Sequence, residues 1–393
     1  MLRGRTAASH YNSFRKFLLQ TKPKIYSSHY PRGPTLTAAA VATTSLVGLT
    51  SVYIGYQRYY ASSSSVTNAI HNKMSSNNTN NNMSSEPPLA AKDRTYPDHQ
   101  HFIEVCPGFW NCRSKFVVKS LVNISSHMSL CRLENGAFVA IDVIDLGQMP
   151  PEAKKELDEI TNRGEKLVAV VNTHSFHTMG IRPFHAQYPG IPSTRLWYGC
   201  PRHLREITTD GNDKEIVWEG GNLEDDKVRA ALEPELSLKI PVGAEFNDPK
   251  PPDANHFSNV FVLHRASKCV HNDDCLMFIE SIKSFGILAS GLLWLGGVKP
   301  NTLTFHLSYK KALVDPLGFR DWLQCLLNEW DFDHLCTAHN GNCYGDAKKR
   351  IRELLEKKDK ELESLAQNRA EGKMEDSKWS EGAWGGCEEC ECG

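Results

Sequence analysis

The apolar positions of this chain fall into short runs separated by turn residues, and from Phe109 onward the runs have a readable order. "FWNCRSKFVVKSL" and "HMSLCRL" read as strands, and "AFVAIDVIDL" follows a turn at Glu134, Asn135 and Gly136. Asn-Gly between two apolar runs predicts a hairpin, because both residues tolerate the positive φ of a tight turn. "PPEAKKELDEITNRG" predicts a helix that starts at Pro151 and is closed by Gly164, and "KLVAVVNTH" then reads as a buried strand. A second strand-turn-strand is expected in "NVFVLHRASKCVHNDDCLMF", Asn259 to Phe278, and one apolar helix or a helix pair from Ser281 to Val298. "GILASGLLWLGGV" within that segment is too short to span a bilayer. "DPLGFRDWLQCLLNEW" is an amphipathic helix, and "HLCTAHNGN" a short strand ending in a polar loop. The last helix runs from Asp346 to about Arg369, where Ile351, Leu354, Leu355, Leu362 and Leu365 form a stripe suited to docking on the domain.

These elements place the folded domain at residues 96–370 of a 393-residue chain. What precedes them is different in kind, since nine Lys and Arg occur before the first acid, Glu86. Residues 1–33, basic and Ser- and Tyr-rich, have the composition of an organellar targeting segment. Residues 34–60 form a candidate transmembrane helix, whose charge-free stretch 36–56 has about the length that crosses a bilayer. The Ser/Asn-rich stretch 61–95 is too polar to bury a core and reads as a disordered linker. Residues 371–393 form an acidic tail with Cys387, Cys390 and Cys392, a spacing able to offer thiolates to a soft metal or to act as a redox pair. The expectation is a single-pass mitochondrial membrane protein, with plastid or endomembrane as the alternative. Basic residues are scattered rather than striped with aromatics, which argues against a nucleic-acid partner. A protein partner is expected, if anywhere, at the last helix and tail.

The residues with chemistry sit where strands are expected to end. His174 and His177 follow one strand, His256 precedes another, Asp274 lies in "HNDDCLMF" and His339 in "TAHNG". Strand ends converge along one edge of a sheet, so these five could meet. His264 and His271 flank the second hairpin turn, where His264 either supports a ligand or stands exposed. His185 and His203 are expected on loop or helix surfaces. Cys336 and Cys343 bracket His339 and are further candidate thiolates.

From Phe109 to Glu356 the chain resembles the metallo-β-lactamase superfamily, chiefly in "NVFVLHRASKCVHNDDCLMF" and "FDHLCTAHNG"; "LWYGCP", Leu196 to Pro201, resembles a strand of a poorly characterised branch. The resemblance implies an α+β fold, a four-layered αββα sandwich with metal at the edge between two sheets. The first family motif is His-x-His-x-Asp-His, and "HSFHTM" departs from it: with His174 on the first ligand, Phe176, Thr178 and Met179 fall on the other three. A two-metal site is therefore not expected. Two readings stay open. In one, His174, His177, His256, Asp274 and His339 supply ligands to one zinc, iron or manganese ion, Asp274 serving as ligand or orienting the attacking water, for hydrolysis of a small ester, thioester, lactone or phosphodiester. In the other, the metal is gone, Phe176 and Met179 pack as apolar residues, and the domain is a tethered binding or scaffold protein.

Overall fold

The computed structural model describes residues 100–373 apart from 119–121, 189–194, 211, 213, 250–251 and 282–298. The targeting, transmembrane and linker segments, the expected helix before Val298 and the cysteine tail lie outside these residues. Among the described residues no helix is long and apolar enough to cross a membrane.

Sixteen strands are described. The first sheet holds, in spatial order, β1 (Ile103–Cys106), β2 (Phe109–Ser114), β5 (Ser126–Arg132), β6 (Phe138–Ile141), β7 (Leu167–Asn172), β8 (Leu196–Gly199) and β9 (Gly221–Asn222). The second holds β10 (Leu236–Lys239), β11 (Phe261–His264), β12 (Cys269–Asn272), β15 (His334–Thr337) and β16 (Asn342–Cys343). Two small pairs, β3 (Val117–Val118) with β4 (Val122–Asn123) and β13 (Leu276–Ile279) with β14 (Thr302–Phe305), stand apart. The helices are α1 (Pro151–Ile160), α2 (Ile181–Gln187), α3 (Pro201–Glu206), α4 (Asp226–Ala230), α5 (Tyr309–Ala312), α6 (Pro316–Glu329) and α7 (Ala347–Ala370).

The Asn-Gly turn joins β5 to β6 as an antiparallel pair, with Gly136 at φ 81°. Pairing then changes hand: β6, β7 and β8 are mutually parallel, which requires a crossover between each, and α1 and α2 fill that role. Pro151 opens α1 as expected, but the helix stops at Ile160, because Asn162 and Arg163 already adopt left-handed φ before Gly164 does.

Side-chain parity along the strands sorts the apolar residues into three cores, and three cores imply four layers. On the outer face of the first sheet, Leu130, Ala140 and Val170 pack against Ala153 and Leu157 of α1 and Phe184 of α2. Between the sheets, Cys131, Val139, Ile141 and Val171 meet Leu238, Val262, Cys269 and Cys336. On the outer face of the second sheet, Phe261, Leu263, Val270 and Leu335 are covered by Phe319, Leu323 and Leu326 of α6 and by the α7 stripe of Ile351, Leu354, Leu355, Leu362 and Leu365. That last helix thus docks on its own domain.

Several histidines depart from expectation. His264 is buried rather than exposed at a hairpin turn, and His271 is buried with it, because β11 and β12 are flanked on both edges and covered on both faces. His264 Nδ1 pairs with Ser267 Oγ at 2.7 Å. His185 and His203 are buried too, the former through Nδ1 at 2.9 Å from Asp210 Oδ2. Cys336 lies in the inter-sheet core, its Sγ 3.9 Å from Cys269 Sγ, and Cys343 donates to Gly345 O, so each thiol has a packing role. The second strand of the expected strand-turn-strand is not continuous to Phe278: it breaks at Asp273 and Asp274, leaving β12 and β13 as separate strands.

Truncating Leu326, on the buried face of α6, to Ala should lower the unfolding free energy by about 2–5 kcal/mol in urea titration. Val217→Ala, at a side chain 46% exposed, should stay within about 0.5 kcal/mol.

Candidate metal centre

Strand direction assembles the site. In the first sheet the parallel strands β6 and β7 end beside each other and deliver Asp142, Thr173 and His174 to one rim. In the second, β12 and β15 are also parallel and deliver Asp273, Asp274 and His339. Because β11 runs antiparallel to β12, the 3-10 turn Pro252–Phe257 that leads into it brings His256 back to that rim. A bridge between His174 and Asn259 joins the two sides. Gly180 lets the His174–Met179 loop dock closely, since a Cβ there would lie 1.9 Å from Val143 O.

The five residues singled out from sequence meet: four histidines approach the carboxylate of the fifth, Asp274. His256 Nδ1 is 2.7 Å from Asp274 Oδ2, His177 Nε2 3.3 Å and His174 Nε2 3.6 Å from the same oxygen, and His339 Nε2 is 3.3 Å from Oδ1. His174, His177 and Asp274 each offer a ligand atom within 4.8 Å of the others. The His174 and His177 rings stack at 4.1 Å. His177 is the member that reaches solvent, its side chain 17% exposed while Asp274 and His174 are wholly buried.

The electrostatics favour neutral His174 and His339 rings beside an ionised Asp274. Burial, with His177 nearby, holds His174 well below the usual histidine range. Burial likewise brings His339 down to about 4. Burial alone would push Asp274 up, but the surrounding His177, His256 and His339 outweigh it and keep the carboxyl ionised. Asp273 goes the other way, pushed up to about 8 by burial.

Tautomers sharpen this picture. His339 Nδ1 lies 2.5 Å from Ser125 O, which only accepts, so the ring proton sits on Nδ1 and Nε2 turns its lone pair towards Asp274 Oδ1. At His174 the order is reversed: Phe176 N–H donates to Nδ1 at 3.1 Å, and coordination through Nε2 would shift the proton to Nδ1 and surrender that contact. His203 Nε2 donates to His174 O at 3.1 Å while its Nδ1 accepts from Cys200 N–H. Buried Arg113 steadies the His339 loop from below, donating to Thr337 O and Gly341 O.

Four neighbours were not singled out as site residues from sequence. Asp273 Oδ2 is 2.8 Å from His177 Nδ1, and the His306 ring stacks on His256 at 3.7 Å. Asp142 and His127 are also buried nearby, Asp142 accepting from Thr173 N beside His174. The strand-end rule would have found Asp142, which follows "FVAI" directly, Asp273 after β12 and His306 after β14; His127, within β5, left no comparable mark. Of the two apolar replacements in the first motif, Phe176 is half-buried beneath the Arg202 guanidinium at 4.4 Å, whereas Met179 is 46% exposed rather than packed.

The chain is similar to metallo-β-lactamases. One from Erythrobacter litoralis, with β-mercaptoethanol in its active site, is 16% identical, covering 65% of this chain and 96% of its own at a TM-score of 0.38. A Pseudomonas aeruginosa metallo-β-lactamase in a mono-zinc form is 13% identical over 70% of this chain and 96% of its own, TM-score 0.37. A Pontibacter korlensis metallo-β-lactamase is 12% identical over 65% and 98%, TM-score 0.38. No protein-family model and no curated protein matches the chain. The likeness to metallo-β-lactamases is one of outline, and the chemistry rests on this chain's own side chains.

Two tests follow from the site's construction. Arg113→Met should cost about 2–4 kcal/mol by leaving buried carbonyls unsatisfied, and should speed hydrogen exchange at the Asn340 amide, which bonds Ile124 O. The second test concerns pH. Burial lowers His203 and His264 to about 4, so both stay neutral when folded while an unfolded chain protonates near 6.5. Their stabilisation is complete above about pH 6.5 and is lost as pH falls towards 4. The urea midpoint should therefore drop between pH 7.5 and 5, and less steeply in His203→Gln.

Proposed function

We propose that this chain is a metal-dependent hydrolase in which His174, His177, His339 and Asp274 hold one divalent ion, acting on a small ester, thioester, lactone or phosphodiester. The supporting observation is the meeting of His339 Nε2 with Asp274 Oδ1 at 3.3 Å. With the proton fixed on Nδ1, two lone pairs face each other in a buried site, a repulsive contact that a cation between them makes attractive. Three imidazoles and a carboxylate are a donor set that zinc accepts, and iron or manganese would also suit it. Such an ion supplies Lewis-acid polarisation of a carbonyl or phosphoryl oxygen and acidifies water.

The chain's own residues do the rest. His256, donating from Nδ1 at 2.7 Å, fixes the rotation of the Asp274 carboxylate, and so acts as orienter rather than ligand. Asp273 orients the His177 ring through Nδ1. His177, the solvent-facing imidazole, marks the side from which substrate arrives. Phe176 and Met179 supply no donors, which limits the site to one ion. The membrane anchor at residues 36–56 and a mitochondrial location belong to the same proposal and rest on sequence composition. So does any partner for the charged face of α7 and the cysteine tail.

The metal-free binding reading has one observation in its favour, the Phe176 N–H to His174 Nδ1 contact. Elemental analysis of the detergent-purified full chain after loading with zinc, iron and manganese in turn separates the two. Bound metal is expected, together with chelator-sensitive hydrolysis of at least one chromogenic ester, thioester, lactone or phosphodiester. Asp274→Ala should abolish hydrolysis, and His256→Ala should weaken metal affinity about 10–100-fold. Metal below about a tenth of an equivalent under all three conditions would leave the binding role.

A further inference from the structure

A second constellation lies close to the first, and none of its side chains is a ligand in the hydrolase proposed above. His127 enters it from the start of β5, Asp142 from the end of β6 and His271 from β12, so it bridges the two sheets. All three side chains are buried, and each offers a ligand atom within 4.8 Å of the others.

Hydrogen bonding accounts for two members and fails for the third. Asp142 Oδ1 accepts from Thr173 N at 2.6 Å, while Oδ2 accepts from the Thr173 hydroxyl and faces His271 Nε2 at 2.8 Å. His271 Nδ1 meets Ser129 Oγ at 2.9 Å. His127 is 3% exposed with its ring centroid 4.3 Å from that of His271, and neither of its nitrogens makes a hydrogen bond. A buried imidazole without partners carries its full desolvation penalty, and a leucine would fill the space without that cost. Buried polar atoms of this kind call for a water or an ion.

We infer that His127, Asp142 and His271 form a second cation site, an N/N/O cradle between the sheets that takes a divalent transition-metal ion such as zinc. The donor types suit zinc. The proton account closes without net release. His271 gives up Nε2–H to coordinate from that nitrogen and carries the proton on Nδ1, donating it to Ser129 Oγ, whose hydroxyl turns away. Thr173 keeps Asp142 in place, and His127 gains the partner it lacks.

The test counts metal in the full chain and in two variants, with circular dichroism and thermal melting read alongside. Zinc-loaded protein should bind two equivalents; His127→Leu should bind one and lose the melting increment that the second equivalent gives. The double variant His174→Asn/Asp274→Asn, which removes ligands only from the first site, should also keep one. A total of one equivalent in the unaltered chain, lost in the double variant and retained in His127→Leu, overturns the second site and leaves the hydrolase reading standing. One equivalent lost only in His127→Leu does the reverse. The count on unaltered protein needs no variant to fold, so no binding beyond one equivalent there rules out a two-ion protein outright.

Discussion

Everything at the rim of this domain turns on one buried negative charge. Asp274 is fully removed from water, and an isolated carboxylate there would cost far more than a folded domain has to spare. Four imidazoles reach it, from the loop after β7, the turn before β11 and the loop after β15. The charge is tolerable only while those segments stay in register, so a local electrostatic requirement becomes a constraint on two sheets at once. The same requirement makes the site receptive to a cation, because His339 gives its Nδ1 proton to Ser125 O and so directs the Nε2 lone pair inward.

Strand direction explains why the requirement can be met. Each sheet contains an adjacent parallel pair, β6–β7 in one and β12–β15 in the other, and both pairs discharge their carboxyl ends at the same edge. The inter-sheet space changes character towards that edge. At one end it holds Val139, Val262 and Leu238; at the other it holds Asn111, Arg113, Ser129, His127, His271 and Asn342, linked by bonds such as Asn342 Nδ2 to Asn111 Oδ1. A core that is apolar throughout would be easier to satisfy, since a polar network is sound only when every member is partnered. His127 is the member that fails this condition by hydrogen bonding alone.

Much of this arrangement was legible in the chain. The Asn135-Gly136 hairpin, the Pro151 start of α1, the α7 stripe and the position of each candidate site histidine near a strand end follow from turn chemistry and periodicity. Burial of His264 and His271 did not, for a physical reason: β11 and β12 are buried at every position, so no alternation distinguishes inward from outward faces. The His174–His177 relation was equally hidden. Two histidines three residues apart in a loop have no fixed geometry until tertiary contacts, here the close approach at Gly180, decide the turn.

The backbone shows where the fold bears strain for this site. Ser125, Asp142 and Asn340 all take left-handed φ, at 60°, 48° and 71°, and all three adjoin the rim. Ser125 lends its carbonyl to His339, Asp142 anchors Thr173, and Asn340 follows His339 directly. Each such residue costs about 1–2 kcal/mol relative to a relaxed conformation. The strain is held by rigid layers on either side, where α1 and α2 seal one sheet and α6 and α7 seal the other with large apolar side chains. Division of labour follows from the layering: the outer cores carry the stability, and the inner rim can keep residues that a purely structural domain would replace.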